Sequence, residues 1–297
     1  MKGRLPLIEL VLSALCLWGG WYHTPAGALV RAVGAWFFRT GTTARPLLAY
    51  FRAGTLVPPR PPPFLAAPVP PGEALGYGAA AILETDPAEV VPRLHSLSVK
   101  LGSDDAALLG LFCGEDAARY ALEEARSNAL DDLARALPPR AEACIARAGQ
   151  AAMLGEAYRL GWPLPETVKI TSLFGVREHP ILGGWRLHTG VDLGTPIGTP
   201  VRAVAPGVVR RASSDGINGR ILVLDHGRGV VTTYCHNDAL LVHNGQHVEQ
   251  GQVVARTGSS GRTTGPHLHY QIDLAGEPVD PLRFRAKHPK TGAGATD

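Results

Sequence analysis

Eight of the fourteen residues from Pro58 to Pro71 (PPRPPPFLAAPVPP) are proline. Proline brings no N–H to a helix or a sheet ladder and locks its own φ. Such a stretch favours an extended, semi-rigid polyproline conformation. The chain must therefore fold as separate parts on either side of a linker, taken here as 56–73. At roughly 150 residues per domain, 297 residues allow about two domains. A hydrophobic share of 45% with 19% charged residues permits a packed core and excludes wholesale disorder. The net charge of +3 gives no electrostatic case for nucleic acid as a partner.

Before the linker, Lys2 and Arg4 precede an apolar stretch from Leu5 to Tyr22, interrupted by Pro6, Glu9 and Ser13. A basic head followed by an apolar run is the export pattern, and Ala26-Gly27-Ala28 offers a cleavage site. The run is also just long enough to cross a bilayer, so 1–28 reads as a signal peptide or as a membrane anchor. A buried core helix is the bland alternative. Residues 29–55 are apolar again but carry Arg31, Arg39 and Arg45, which suits a membrane-proximal segment. Four cysteines are too few for a disulfide scaffold, and no CxxC pair suggests a structural zinc knuckle. Without 1–28 there remain Cys113, Cys144 and Cys235, enough for a single bridge. Cys113 with Cys144 is the favoured pair because both lie in the helical region; three free, buried thiols are the alternative.

After the linker, 74–162 reads as an α-helical segment rich in Ala, Leu, Glu and Arg. Between Asp104 and Leu137 apolar residues recur at three and four, making one helix face. Ser103 and Asp104 can cap its start and Pro138-Pro139 stop it. A second helix is expected from Ala141 to Leu160. No catalytic constellation occurs here, so the segment reads as a spacer or docking module. From 167 to 285 the pattern changes to short runs such as Val208–Ala212, Ile221–Leu224 and Val230–Tyr234, separated by Gly, Asn and Asp. Asn218-Gly219 and His226-Gly227 are hairpin signals, so this part reads as one antiparallel β domain, with 286–297 a flexible tail.

The β domain holds eight of the eleven histidines. In the strand Pro266–Ile272, alternation sends His267, His269 and Gln271 to one face, and Leu268, Tyr270 and Ile272 into a core. By itself a HxH pair on a solvated strand face is more often innocent than not. His188 and Asp192, spaced by four across Gly190-Val191, can share a face in extended chain; alone that spacing is weak too. Two imidazoles with a carboxylate nevertheless suit zinc. In the run Val230–His236, Thr232, Tyr234 and His236 are expected on one face, which puts a further imidazole at a strand end. A surface histidine at the turn into Asn237-Asp238 is the plain alternative.

Taken together, Ser172-Leu-Phe-Gly-Val-Arg-Glu-His-Pro180, His188-xxx-Asp192, Tyr234-Cys-His236 and Gly265-Pro-His-Leu-His269 closely resemble the lysostaphin-type zinc endopeptidases, which cut bacterial peptidoglycan. The resemblance covers about 167–285, in order, and does not extend to the first half. It implies a mainly β catalytic domain of antiparallel sheets resembling a duplicated hybrid motif, to which the reading of the first half adds a preceding α-helical segment and an N-terminal hydrophobic helix. It also implies Zn2+ bound by His188, Asp192 and His269. His267 and His236 would stay unmetallated, the first as general base and the second stabilising the oxyanion, or with those roles exchanged. Three protein ligands leave the fourth tetrahedral place open, as catalytic sites do. The implied substrate is a peptide of peptidoglycan, and the implied location the periplasm or cell envelope, with the inner membrane met by the N-terminal segment.

Some positions depart from the family pattern. Cys235 stands where a small residue is common; alternation turns it away from His236 and makes it core, not ligand. Asn237 replaces a usual hydrophobic residue, a change expected to alter the rim of the site. Arg177 and His179 can contact substrate or serve structure. His226, His243 and His247 read as surface. A catalytically inactive cell-wall-binding or amidase-activating module of the same fold is the rival reading. A biotinyl or lipoyl carrier fails, because no lysine occurs between Lys169 and Lys287.

Overall fold

The computed structural model describes residues 69–70, 72–178 and 184–285. The expected segments 1–28, 29–55 and 286–297, most of the linker and His179 lie outside the described residues. Among the described residues no helix is long and apolar enough to cross a membrane.

The helical part comprises α1 (Ala74–Leu83), α2 (Pro87–Leu101), α3 (Asp104–Cys113), α4 (Glu115–Glu124), α5 (Leu130–Ala136) and α6 (Glu142–Tyr158). Asp86 accepts from the Ala88 N–H at the start of α2, and Ser103 from the Ala106 N–H at the start of α3. Each oxygen satisfies an amide that the first helical turn leaves unpaired. The helix expected over 104–137 is three helices. Gly114 takes φ +94°, which ends α3 and begins α4. The chain leaves the helix again before α5, where the Ser127 hydroxyl donates to Asp132. The three-four periodicity survives these breaks because α3, α4 and α5 all turn their apolar residues to one core, which includes Leu108, Leu109, Ala118, Leu133 and Ala148. The second expected helix is α6. Cys113, closing α3, forms a disulfide with Cys144 in the first turn of α6, while Cys235 is free and buried.

The β part runs through β1 (Lys169–Ser172), β2 (Gly175–Glu178), β3 (Trp185–His188), β4 (Val191–Gly194), β5 (Pro200–Arg202), β6 (Gly207–Asp215), β7 (Gly219–Asp225) and β8 (Val230–Asn237). It continues through β9 (Ala239–Leu240), β10 (His247–Val248), β11 (Val253–Arg256), β12 (His267–Leu274) and β13 (Glu277–Val279). The main sheet has the order β1-β4-β12-β8-β7-β6-β10, with β13 also paired to β12. A smaller sheet is β5-β11-β9, and β2 with β3 makes a separate ribbon. Every pairing is antiparallel. The 207–237 hairpins turn where the Asn-Gly and His-Gly pairs stand.

Strand β12 lies between β4 and β8, and its alternation is as expected. Leu268, Tyr270, Ile272 and Leu274 are buried, while His267, His269 and Gln271 are half-buried on the other face. The buried face joins Val191, Leu193, Leu222, Leu224 and Tyr234 in a core that also takes in Met153, Leu154, Ala157 and Tyr158 of α6. The helical segment is thus docked on the sheet. An ion pair pins the junction: Arg228, at φ +49° in the β7–β8 turn, lies 2.9 and 3.0 Å from the two carboxylate oxygens of buried Asp105. Asp105 also accepts the Leu130 N–H that opens α5.

His226 is half-buried and bonded at both ring nitrogens, not simply exposed. Its Nδ1 donates to the Pro206 carbonyl at 2.8 Å, and its Nε2 accepts from the Thr232 hydroxyl at 2.8 Å. The wrong reading came from its place beside a turn glycine, which hides that the ring folds back under β8. His243 and His247 are exposed.

Two outcomes follow from these contacts. Asp105→Ala should lower the urea-unfolding free energy by about 2 kcal/mol, because it removes the nearer carboxylate from Arg228 and takes the acceptor from the buried Leu130 amide. Burial depresses the His226 pKa against the partly offsetting Pro206 bond. A depressed histidine contributes stability that is complete above its unfolded pKa, about 6.5, and is lost as pH falls through the lower folded value. Urea midpoints measured between neutral and acid pH should fall in the wild type and fall less in His226→Gln.

Candidate metal centre

The site is assembled on the half-buried face of β12. His269 is paired directly across from Asp192 of β4. Directly opposed residues on an antiparallel ladder share a face, with Cβ atoms about 4.5–5.5 Å apart. His188 ends β3 and reaches the same point through the Thr189-Gly190 corner. A Cβ on Gly190 would sit 2.3 Å from the Tyr270 carbonyl oxygen, so only glycine lets the corner lie this close to β12.

The result is a near-equilateral triangle of donor atoms. His188 Nε2 is 3.1 Å from Asp192 Oδ1 and 3.0 Å from His269 Nδ1, and His269 Nδ1 is 3.0 Å from the same Oδ1. A tetrahedral ion with bonds of about 2.0–2.2 Å would separate its ligand atoms by roughly 3.4 Å, close to these spacings. The tautomer of His188 argues the same way. Its Nδ1 donates to the Leu173 carbonyl at 2.7 Å, so in the neutral ring Nε2 is a lone pair. That lone pair faces a carboxylate oxygen, and two acceptors facing each other call for a cation between them. This group of three could hold a metal ion. Burial pushes Asp192 up, but donation and charge from His188 and His269 in their protonated forms outweigh that and hold the carboxyl well below the usual range. Its second oxygen, Oδ2, lies 3.5 Å from Arg177 Nη2.

Two further imidazoles flank the triangle. His267 Nε2 is 3.7 Å from Asp192 Oδ1, and its Nδ1 is 2.8 Å from the Gly265 carbonyl and 3.2 Å from the Thr263 hydroxyl. The His236 ring lies 4.8 Å from that of His267, centroid to centroid, and its Nδ1 donates to the Ser260 carbonyl at 2.9 Å. Both rings therefore spend Nδ1–H on main chain and keep Nε2 as the acceptor when neutral. Burial lowers the His236 pKa.

His236 arrives by a different route from the one alternation suggests. Thr232 and Tyr234 are buried in the core. A bulge sets Cys235 and His236 together against Ile221 of β7, and His236 takes φ +64°. The extra residue re-aims the strand end, so His236 does not share the face of Thr232 and Tyr234. Asn237 is not a rim residue either. It is fully buried, and its Nδ2 donates to the carbonyls of Arg220 and Tyr234, tying down both sides of the bulge. Cys235 is buried core, as expected, with its thiol pushed up to about 12 by burial. All five chemical residues expected from the motifs come together. The Leu173, Ser260 and Gly265 carbonyls that orient three of the rings are main-chain groups with no signature in the sequence.

Residues 186–281 match Peptidase family M23, which bears out the resemblance read from the motifs of the β domain. The DD-carboxypeptidase/endopeptidase Mpg of Neisseria meningitidis serogroup B is 45% identical over 122 residues, 41% of this chain and 28% of that protein. The peptidoglycan DD-endopeptidase ShyA of Vibrio cholerae is 37% identical over 123 residues, 41% of this chain and 29% of that protein. The matched stretch thus spans under a third of each relative's length. Among solved structures, a zinc containing peptidase from Vibrio cholerae is 37% identical, covering 44% of this chain and 41% of that chain with a TM-score of 0.41.

Gly190→Ala should weaken divalent-metal binding by about 10- to 100-fold by pushing His188 off the triangle. Competition of the purified variant against a chelating dye measures it.

Proposed function

We propose that the chain is a zinc-dependent endopeptidase that hydrolyses peptide cross-links or stem peptides of bacterial peptidoglycan in the cell envelope. The observation that carries this reading is the convergence of His188 Nε2, Asp192 Oδ1 and His269 Nδ1 within 3.1 Å of one another, with two further imidazoles beside them. In this reading those three residues hold the metal. Zinc there would polarise a substrate carbonyl and bring the pKa of water from 15.7 to about 7. His267 is assigned as general base, since its Nε2 lies 3.7 Å from Asp192 Oδ1 and its Nδ1 is anchored on Gly265. His236, once protonated, presents Nε2–H to the negative charge that develops on the substrate oxygen. The left-handed bulge at His236 is a strained conformation of the sort found at working sites. Arg177 holds Oδ2 of Asp192 and so leaves Oδ1 to the histidines.

The relatives' printed names support peptidoglycan as the substrate class. The Cys113–Cys144 disulfide supports an oxidising compartment, in keeping with the envelope. The same reading takes 1–28 as export signal or anchor, 29–55 as membrane-proximal, 56–73 as linker, 74–162 as the docked helical segment and 167–285 as the catalytic domain. The inactive-module alternative would need a site lacking metal or catalytic positions, and no observation favours it.

The test separates metal from chemistry. Asp192→Ala should lose zinc, by mass spectrometry of the metal, and all activity on purified peptidoglycan. His267→Ala should keep zinc yet lose at least about 100-fold in rate, as removal of a general base does. Muropeptide profiles that stay fully cross-linked with the zinc-loaded wild type would defeat the proposal.

A further inference from the structure

The β2–β3 ribbon places Arg177 directly across from Arg186. The pair shares a face with His188 two residues along β3, so it lies on the side of the ribbon that carries the metal site. Like charges directly opposed destabilise a ladder. Among the described residues Arg186 enters no ion pair, and Arg177 meets only the outer oxygen of Asp192, at 3.5 Å. The Nε of Arg177 is buried with no hydrogen-bond partner. A cleft of about 520 Å³ runs along Ile170 to Arg177 and opens beside it. Its walls at Leu173, Phe174 and Val176 are apolar, so the guanidinium is the charged group on that lining.

We propose that Arg177 and Arg186 form a subsite for a carboxylate of the substrate peptide, placed next to the scissile bond. The proposal rests on the peptide-hydrolase reading and adds what the enzyme recognises. A planar guanidinium gives paired N–H donors that match a carboxylate. A second guanidinium across the ladder doubles the local charge and makes a neutral group in that position a poor substitute. The carboxylate is either the peptide's C-terminus, which would favour trimming of a terminal residue, or a side-chain acid, which would favour internal cleavage.

The experiment uses an uncleavable peptide with a methylene in place of the scissile carbonyl, made as the free acid, the C-terminal amide and the side-chain amide. Calorimetry against the metal-free full chain should show the free acid binding at least about tenfold more tightly than one of the two amides. Which amide loses affinity identifies the carboxylate. In Arg186→Gln, an exposed position that bears no metal ligand, the acid-to-amide ratio should shrink to within about twofold. With zinc-loaded protein and cleavable peptides, the same variant should raise KM for the acid form with kcat nearly unchanged. Equal wild-type affinity for all three peptides, or an undiminished ratio in Arg186→Gln, overturns the subsite. Failure of the zinc-loaded wild type to cleave any peptide instead overturns the hydrolase reading, while calorimetry still decides the subsite.

Discussion

Everything in the β domain is arranged around three electron-pair donors held closer together than they would choose to be. Two imidazole nitrogens and a carboxylate oxygen converge at about hydrogen-bond distance, and the Leu173 carbonyl behind His188 makes Nε2 the lone-pair nitrogen of the neutral ring. Such an arrangement is costly to desolvate without a cation, since buried acceptors then face one another. It rests on the packed centre of the β domain. Strand β12 is central in the sheet, its opposite face packed by Leu268, Tyr270 and Ile272, and α6 reinforces that core from the other side.

The flanking imidazoles are held by a different device. His267 shares the pleat of β12 and needs only its Gly265 contact to fix the ring. His236 depends on an irregularity: a bulge, a left-handed residue, the Asn237 amide that ties the bulge on both sides, and the Ser260 carbonyl that orients the ring. The candidate ligands and His267 thus stand on or beside regular strands, and only His236 stands on strained structure. That division fits the roles proposed for them, because metal ligands and a general base need fixed spacing, while a group that meets developing charge needs a set orientation toward the reacting atom.

Much of this was legible in the residues themselves. Period-two alternation in 267–272 placed two histidines on one face, and the hairpin glycines bounded the strands. The resemblance carried by 172–180, 188–192, 234–236 and 265–269 then named the chemistry. What alternation could not show was the bulge at His236, because inserting a residue changes the face without changing the composition of the run. Apolar spacing likewise ran unbroken through 104–137, since three short helices sharing one core keep the same periodicity as a single long one. His226 was hidden for a related reason: a turn position says where the backbone goes, not where a ring folds back.

The most direct test of the central claim is X-ray absorption at the zinc edge on the reconstituted full chain. The account predicts a shell of nitrogen and oxygen at about 2.0–2.2 Å with the signature of two imidazoles and no sulfur. A shell of water alone, or sulfur at about 2.3 Å from the thiol of Cys235, would contradict it.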